Sequence, residues 1–322
     1  MEPRIVASPR TPFPGRLRLP AIAAPMFLAS GPDLVVESCK SGVIGCFPAL
    51  NQRSTEGFDA WVEQIAERLA RHEAETGSQG APFGVNLSVK KSNARLQADI
   101  EVVVKRRVPL VLTSLGAARE VVAAVHSYGG VVYHDVVNVR HAEKAIEAGV
   151  DGIIAVCAGA GGHAGVLSPF ALVSEIRAIF DGVLVLGGAI TNGRQIAAAL
   201  TMGADLASLG TRFIATNESL VPAGYKQMLC AATAKDIVYT QAISGVPASF
   251  MRQSLAAAGL DPDALDSDPR TPQERKALAW KTIWSAGQGV GAISDIPTVA
   301  ELCTRLIAEY RDAIAAAAHF IR

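Results

Sequence analysis

Eight short runs of Val, Ile, Leu and Ala punctuate the chain: IAAPM (22–26), VIGCF (43–47), FGVNLSV (83–89), PLVLTSL (109–115), GVVYHDV (130–136), GIIAVCA (152–158), GVLVLGG (182–188) and LASLGTRF (206–213). Each is too short for a typical helix. None alternates cleanly between apolar and polar positions, which is the pattern of strands buried on both faces. Between them lie stretches with apolar residues at helical spacing, clearest in WVEQIAERLARHEAE, REVVAAVHSYG and RHAEKAIEAGVD. Several end in glycine just before the next strand, where a left-handed residue closes a helix and redirects the chain. AIEAGVDGIIA and ALTMGADLASL echo each other within this rhythm. Eight strands alternating with helices predict an α/β chain folded as a closed (β/α)8 TIM barrel. The count and spacing favour this over an open doubly wound sheet.

After Phe213 the rhythm stops. Residues 216–280 read as a small, mainly helical and loop-like insertion or lid, with a polar stretch AAGLDPDALDSDPRTPQER. The final VAELCTRLIAEYRDAIAAAAHF reads as one amphipathic helix that closes the barrel. The expected division is a barrel from 1–215 with 281–322, and an insertion over 216–280.

Composition acts mainly by exclusion. Half of the 322 residues are hydrophobic and 19% are charged, which suits a large buried core. Thirty Lys and Arg balance thirty Asp and Glu without a dense basic run, so no nucleic-acid partner is expected. The first twenty residues are rich in Arg and Pro and lack the apolar core of a secretory signal. The longest uncharged stretch, 152–174, holds five glycines and reads as a buried strand and a glycine loop rather than a membrane span. Cys39, Cys46, Cys157, Cys230 and Cys303 form no C-x-x-C pair, which points to reduced thiols in a cytoplasmic protein and to no metal site.

In a barrel of this kind, functional groups gather at the C-terminal ends of the strands. The seventh run ends in Leu186-Gly187-Gly188 ahead of a helix starting near Asn192, and the eighth leads into Gly210-Thr211-Arg212-Phe213. Glycines at these two places let backbone N–H groups approach a phosphate, and a following helix adds a favourable dipole; two tight turns are the plainer alternative. The sixth run leads into Cys157-Ala158-Gly159-Ala160-Gly161-Gly162-His163-Ala164-Gly165. Residues with almost no side chain surround one imidazole there, so a flat ligand can lie on the backbone with His163 projecting toward it as a proton acceptor.

The fifth run carries Tyr133-His134-Asp135, where His134 is either a ligand contact or a core histidine bonded to Asp135. Asn86 and Ser88 on the third can hydrogen-bond a heterocycle. Ala24-Pro25-Met26 ends the first. His72, His126, His141 and His319 fall on predicted helices and read as surface residues. Cys157 reads as a small buried residue rather than a nucleophile. The sequence contains no H-E-x-x-H, G-x-S-x-G or G-x-x-x-x-G-K-S/T motif.

Taken together, Ala24-Pro25-Met26, Phe83-Gly84-Val85-Asn86, Gly161-Gly162-His163, Gly187-Gly188 and Gly210-Thr211-Arg212-Phe213 resemble the nitronate monooxygenases, formerly called 2-nitropropane dioxygenases. Ser285-Ala286-Gly287-Gln288 resembles a further C-terminal motif of that family. The resemblance implies non-covalent FMN. The backbone at Ala24, Pro25 and Met26 would lie beside the isoalloxazine. Asn86, Ser88 and His134 would touch the ring or ribityl chain, and Gly161 and Gly162 would pass close by. Leu186, Gly187, Gly188, Gly210 and Thr211 would surround the phosphate, and His163 would be the catalytic histidine.

It also implies oxidation of alkyl nitronates, with nitroalkanes as a second substrate class, by O2 to carbonyl compounds and nitrite. It leaves room for a homo-oligomer. The superfamily also holds NAD(P)H-dependent FMN reductases of quinones and enoyl thioesters, the nearest alternative. A flavin-free phosphate-sugar enzyme or a phosphate-ligand sensor is more distant. Three departures bear on subgroup: the family often carries Lys where His134 stands, the loop before His163 lacks an acidic residue, and Val246 in Ser244-Gly245-Val246-Pro247-Ala248 stands where relatives commonly place Arg.

Overall fold

The computed structural model describes residues 10–116 and 119–319; the first nine residues, part of the stretch read for a secretory signal, lie outside the described residues. Strands β1 (Ala21–Ala23), β2 (Ile44–Pro48), β3 (Phe83–Ser88), β4 (Leu110–Ser114), β5 (Val131–Val136) and β6 (Gly152–Val156) follow one another around a barrel. After the two-residue β7 (Gly162–His163), which stands outside the ring, β8 (Val183–Gly187) and β9 (Leu206–Leu209) complete it. All ladders of the ring are parallel, and β9 closes on β1 through Ala21↔Ala207, Ile22↔Ser208 and Ala23↔Leu209. This is the expected (β/α)8 TIM barrel. The first run stops earlier than its apolar character suggests, because Pro25 has no N–H for a ladder. The last turns into the helical segment Thr211–Ile214.

The strands sort their side chains by parity. Ile22, Ile44, Cys46, Leu110, Leu112, Tyr133, Ile154, Val183, Val185 and Leu206 fill the barrel interior, with Phe13 among them. Val85, Leu87, Val111, Val132, Val136, Ile153, Leu184 and Leu186 face the helices in the outer layer. The sequence echo has a structural meaning. Asp151 and Asp205 each sit just ahead of a strand and grip the strand before. Asp151 Oδ2 accepts from Val132 N at 2.7 Å, and Asp205 Oδ2 from Leu184 N at 2.8 Å. Each backbone N–H also reaches that strand, at Val132 O (2.9 Å) and Leu184 O (2.7 Å). The preceding glycine makes the turn: Gly149, at φ +84°, donates back to Ala145 O and Ile146 O.

The helix Val299–Ala318 packs on Gly193–Thr201 and fills the place of the eighth barrel helix. Among the described residues no helix is long and apolar enough to cross a membrane. Residues 216–280 are not only helix and loop. They contribute β10 (Ile237–Thr240) and β11 (Ala248–Met251), which form an antiparallel sheet with β7 in the order β10-β11-β7. Their own apolar cluster includes Ile243, Phe250, Leu255 and Leu260, and it extends to Ile283.

Candidate active site

A cavity of about 1420 Å³ opens at the C-terminal ends of the barrel strands. Ala24, Pro25, Met26, Asn86, Ser88, His134, Gly161, Gly162, His163, Gly187, Gly188, Gly210 and Thr211 all border it. Leu186 does not: it is 2% exposed and packs in the outer strand–helix layer, as its parity on β8 requires.

The glycines are of two kinds. At Gly188, φ is +145° and an added Cβ would stand 2.9 Å from Ala158 O, so the backbone itself demands glycine. At Gly187 and Gly210 an added Cβ would meet nothing closer than 3.7 Å and 3.6 Å, ordinary contact distances. Protein packing therefore does not explain glycine at those two positions, and both border the cavity. The helix after β8 contributes less than expected. Its first N–H, on Gly193, donates to Glu309 Oε2 at 2.7 Å, and Asn192 with Gln195 closes a capping box. That helix end is sealed by protein groups, so the expected dipole contribution to an anion is weak. Thr211 Oγ1 accepts from Gly287 N at 2.9 Å and keeps its own proton to donate. Arg212 is tied to Asp295, at 3.1 Å, and to the Ala215 and Asp295 carbonyls; it braces the loop after β9.

The loop carrying His163 is held from one side by the 216–293 segment. His163 pairs with Ala248 across the β7–β11 ladder. Gly162 N donates to Ser285 Oγ at 2.8 Å, Gln288 N to Gly159 O at 2.8 Å, and Ser249 Oγ to Ala160 O at 2.9 Å. A Cβ on Gly161 would stand 2.9 Å from Gly287 N, so the 285–288 motif and the glycine loop are in backbone contact. Trp280 meets the His163 ring edge-on, with centroids 5.5 Å apart. Neither imidazole nitrogen has a hydrogen-bond partner among the described residues. Desolvation by its surroundings, and then the Lys90 ammonium, lower its pKa, so the neutral base is favoured at neutral pH.

His134 is not bonded to Asp135. Its Nδ1 lies 2.8 Å from Thr113 Oγ1, on the face of β5 shared with Val132 and Val136. Burial, and then His141, lower its pKa to about 4, so it is neutral. His141 is an exposed helix residue, as expected, and it also borders the cavity. Asn86 is loosely held: its Nδ2 is 3.4 Å from both Leu112 O and Ser114 Oγ. Sequence reasoning passed over Trp280 and Lys90; it named Asp135 only as a partner for His134 and Ser285 only as part of a motif. Among the described residues no group of three or more His, Cys, Asp or Glu is placed to hold a metal ion.

Fold and site together define a (β/α)8 barrel whose mouth lines a large cavity with exposed glycine backbone beside the unpartnered imidazole of His163. Residues 46–309 match the nitronate monooxygenase family, and the chain belongs to it. It is similar to a nitronate monooxygenase of Paraburkholderia phytofirmans, 32% identical over 54% of this chain and 47% of that protein. It is also similar to a (3aS,4S,5R,7aS)-5-hydroxy-7a-methyl-1-oxo-octahydro-1H-indene-4-carboxyl-CoA dehydrogenase of Rhodococcus jostii, 27% identical over 73% of this chain and 63% of that one. The aligned regions thus span about half to just under two thirds of these relatives' own length. Among solved structures, FabK from Thermotoga maritima shares the fold with a TM-score of 0.82 at 22% identity, covering 94% of this chain and 96% of that one.

Proposed function

We propose that the chain is an FMN-dependent oxidoreductase that oxidises alkyl nitronates with O2 to carbonyl compounds and nitrite, and takes nitroalkanes through prior deprotonation by His163. The observation that carries the reading is the unpartnered, neutral His163 imidazole beside a cavity whose wall is glycine backbone. The residues fit FMN. Gly187 and Gly210 leave unfilled space at the barrel's usual phosphate position. Asn86, Ser88, Ser114 and Ser208 supply hydrogen-bonding side chains along the same cavity. Leu186 would serve through its backbone at most, and His134 would reach a ligand only from the outer side of β5.

FMN, when bound, supplies the electron acceptor and its reoxidation by O2. The protein's part is positioning and proton control. A neutral His163 accepts the α-proton of a nitroalkane; in its protonated form it instead orients a nitronate anion. Trp280 fixes the imidazole plane, and Phe27, Leu50, Leu115 and Val166 give the cavity an apolar rim.

The test is the purified protein's flavin spectrum followed by oxygen uptake with a nitronate and no nicotinamide. Nitronate-dependent uptake is expected. A second reading, a dehydrogenase or reductase, is favoured by the similarity to the carboxyl-CoA dehydrogenase. Anaerobic bleaching of the flavin by NADH or NADPH, without nitronate turnover, would establish it instead. A folded protein that takes up no FMN would overturn both.

A further inference from the structure

Strand β5 sends one ionisable side chain into the barrel mouth. Tyr133 belongs to the interior cluster, and Val132 and Val136 to the outer layer, so the alternation of a strand turns Asp135 inward and His134 outward. Asp135 borders the cavity, next to Ile154 of β6 in register. Its carboxyl forms no hydrogen bond or ion pair with any described residue. The polar side chains of β3 and β4 that border the same cavity, Asn86, Ser88 and Ser114, are uncharged.

A half-buried carboxyl without a partner is unfavourable in either protonation state, and the cost falls when a ligand supplies the missing groups. Burial is the sole cause of the shift in its ionisation, which rises to about 7, so no neighbouring charge stabilises or repels its proton. The groups that titrate around it are consistent with this. Cys46 and Tyr133 lie beneath it in the interior, and burial pushes both thiol and phenol upward, so they stay neutral. His134 and His163 are displaced downward and stay neutral. His141, Lys144, Glu147 and Arg119 border the same cavity but do not move the Asp135 proton.

A protonated carboxyl presents a donor O–H beside an acceptor C=O on one edge. Its complement is a lactam edge, an N–H beside a C=O, and the pyrimidine ring of a flavin carries one. We propose that Asp135 is the fifth strand's contribution to cofactor binding, recognising the lactam edge of the flavin from inside the barrel in its protonated form, while His134 stays on the outer face. This rests on the FMN reading above. Binding then takes up a proton wherever free Asp135 is ionised. With only the protonated form competent, the affinity loses about tenfold between pH 6 and pH 8.

The experiment is FMN binding to the apoprotein by flavin fluorescence at pH 6, 7 and 8, for the unaltered chain, Asp135→Asn and Asp135→Leu, each checked for folding by circular dichroism. The FMN phosphate ionises near pH 6 and affects all three alike, so the ratio between proteins isolates Asp135. Asn keeps a donor and an acceptor without titrating. Its affinity is expected to escape the tenfold loss and to exceed that of the unaltered chain at pH 8. Leu, which offers neither group, is expected to bind at least tenfold more weakly than the unaltered chain at pH 6. Binding heats at pH 8 in buffers of different ionisation enthalpy should show close to one proton taken up by the unaltered chain and none by Asp135→Asn.

Parallel pH profiles for the unaltered chain and Asp135→Asn, or full affinity in Asp135→Leu at pH 6, would overturn the assignment while leaving the flavin reading intact. Failure of all three folded proteins to bind FMN at any pH would overturn both.

Discussion

Gly210→Ala separates what the fold needs from what a ligand needs. Gly210 sits at φ −99° and ψ −72°, at the edge of the right-handed helical region, so no positive φ demands glycine there. The new methyl would meet Met26 Sδ at 3.6 Å and Ala24 Cβ at 3.9 Å, ordinary contact on both sides. The apoprotein should therefore keep its stability or gain from the stiffer unfolded chain, by about 0.4–1 kcal/mol. For a chain this size that is a rise in melting temperature of roughly 0.5–1.5 °C. The same methyl stands in the cavity between the backbone and whatever lies over it. A cofactor seated against that glycine must move away, and a loss of about 1.4 kcal/mol, or tenfold in Kd, is the least expected. The assay is thermal unfolding of the apoprotein beside FMN titration. A stable variant that binds FMN as tightly as the unaltered chain would refute the cradle at Gly210. A destabilised variant would show that packing, not a ligand, keeps glycine there.

The other expectations are as follows. His163→Asn should lower kcat/KM for a neutral nitroalkane by about 10²–10⁴-fold while FMN binding is retained. Because the pKa of His163 lies below its ordinary value, the unaltered enzyme should lose nitroalkane turnover only as pH falls below about 6.5, and the variant should lack this acid limb. Ser285→Ala removes the acceptor for Gly162 N; it should cost about 1–3 kcal/mol in thermal unfolding and speed proteolysis in the glycine loop before His163. Gly193→Ala would place a Cβ 2.3 Å from Leu306 O and 2.4 Å from Tyr310 N, pushing the last helix off the barrel, with an expected loss of about 1–3 kcal/mol in denaturant unfolding.

The barrel was legible because strands covered on both faces leave uninterrupted apolar runs, and eight such runs between amphipathic stretches admit few topologies. The Asp151 and Asp205 repeat was visible as an echo. Its role, an aspartate gripping the N–H of the preceding strand, needs the pairing to be seen. The small sheet was hidden for a different reason. β7 has two residues and β10 and β11 four each, too short for any periodicity to register, and β7 exists only because β11 arrives from 85 positions away to pair Ala248 with His163. His163 could be found from its glycines, but what fixes it, Ser285 and Trp280, is remote in the chain.

Asp135 shows where sequence reading stops for a physical reason. In a half-buried strand, hydrophobic alternation marks the inner face. In a barrel strand both faces are apolar, so VVYHDV carries no parity, and His134 and Asp135 compete for the same inward role with nothing in the run to decide between them. Parity is set by the ladder: Thr113↔His134 places the histidine opposite an outward hydroxyl, and Tyr133 enters the interior beside Leu110 and Leu112. Once that is known, the sequence's own choice becomes informative. The outer position has a neutral histidine bonded to Thr113, and the inner one an acid that no described residue satisfies. A barrel interior otherwise built from apolar and uncharged side chains keeps a carboxyl at its rim at a cost in stability. That cost is smallest below the ordinary carboxylate range, where the acid is protonated folded or unfolded; it grows as the pH rises above that range, where only the folded state still holds the proton, and levels off above about 7. A ligand that completes the carboxyl's hydrogen bonds lowers that cost.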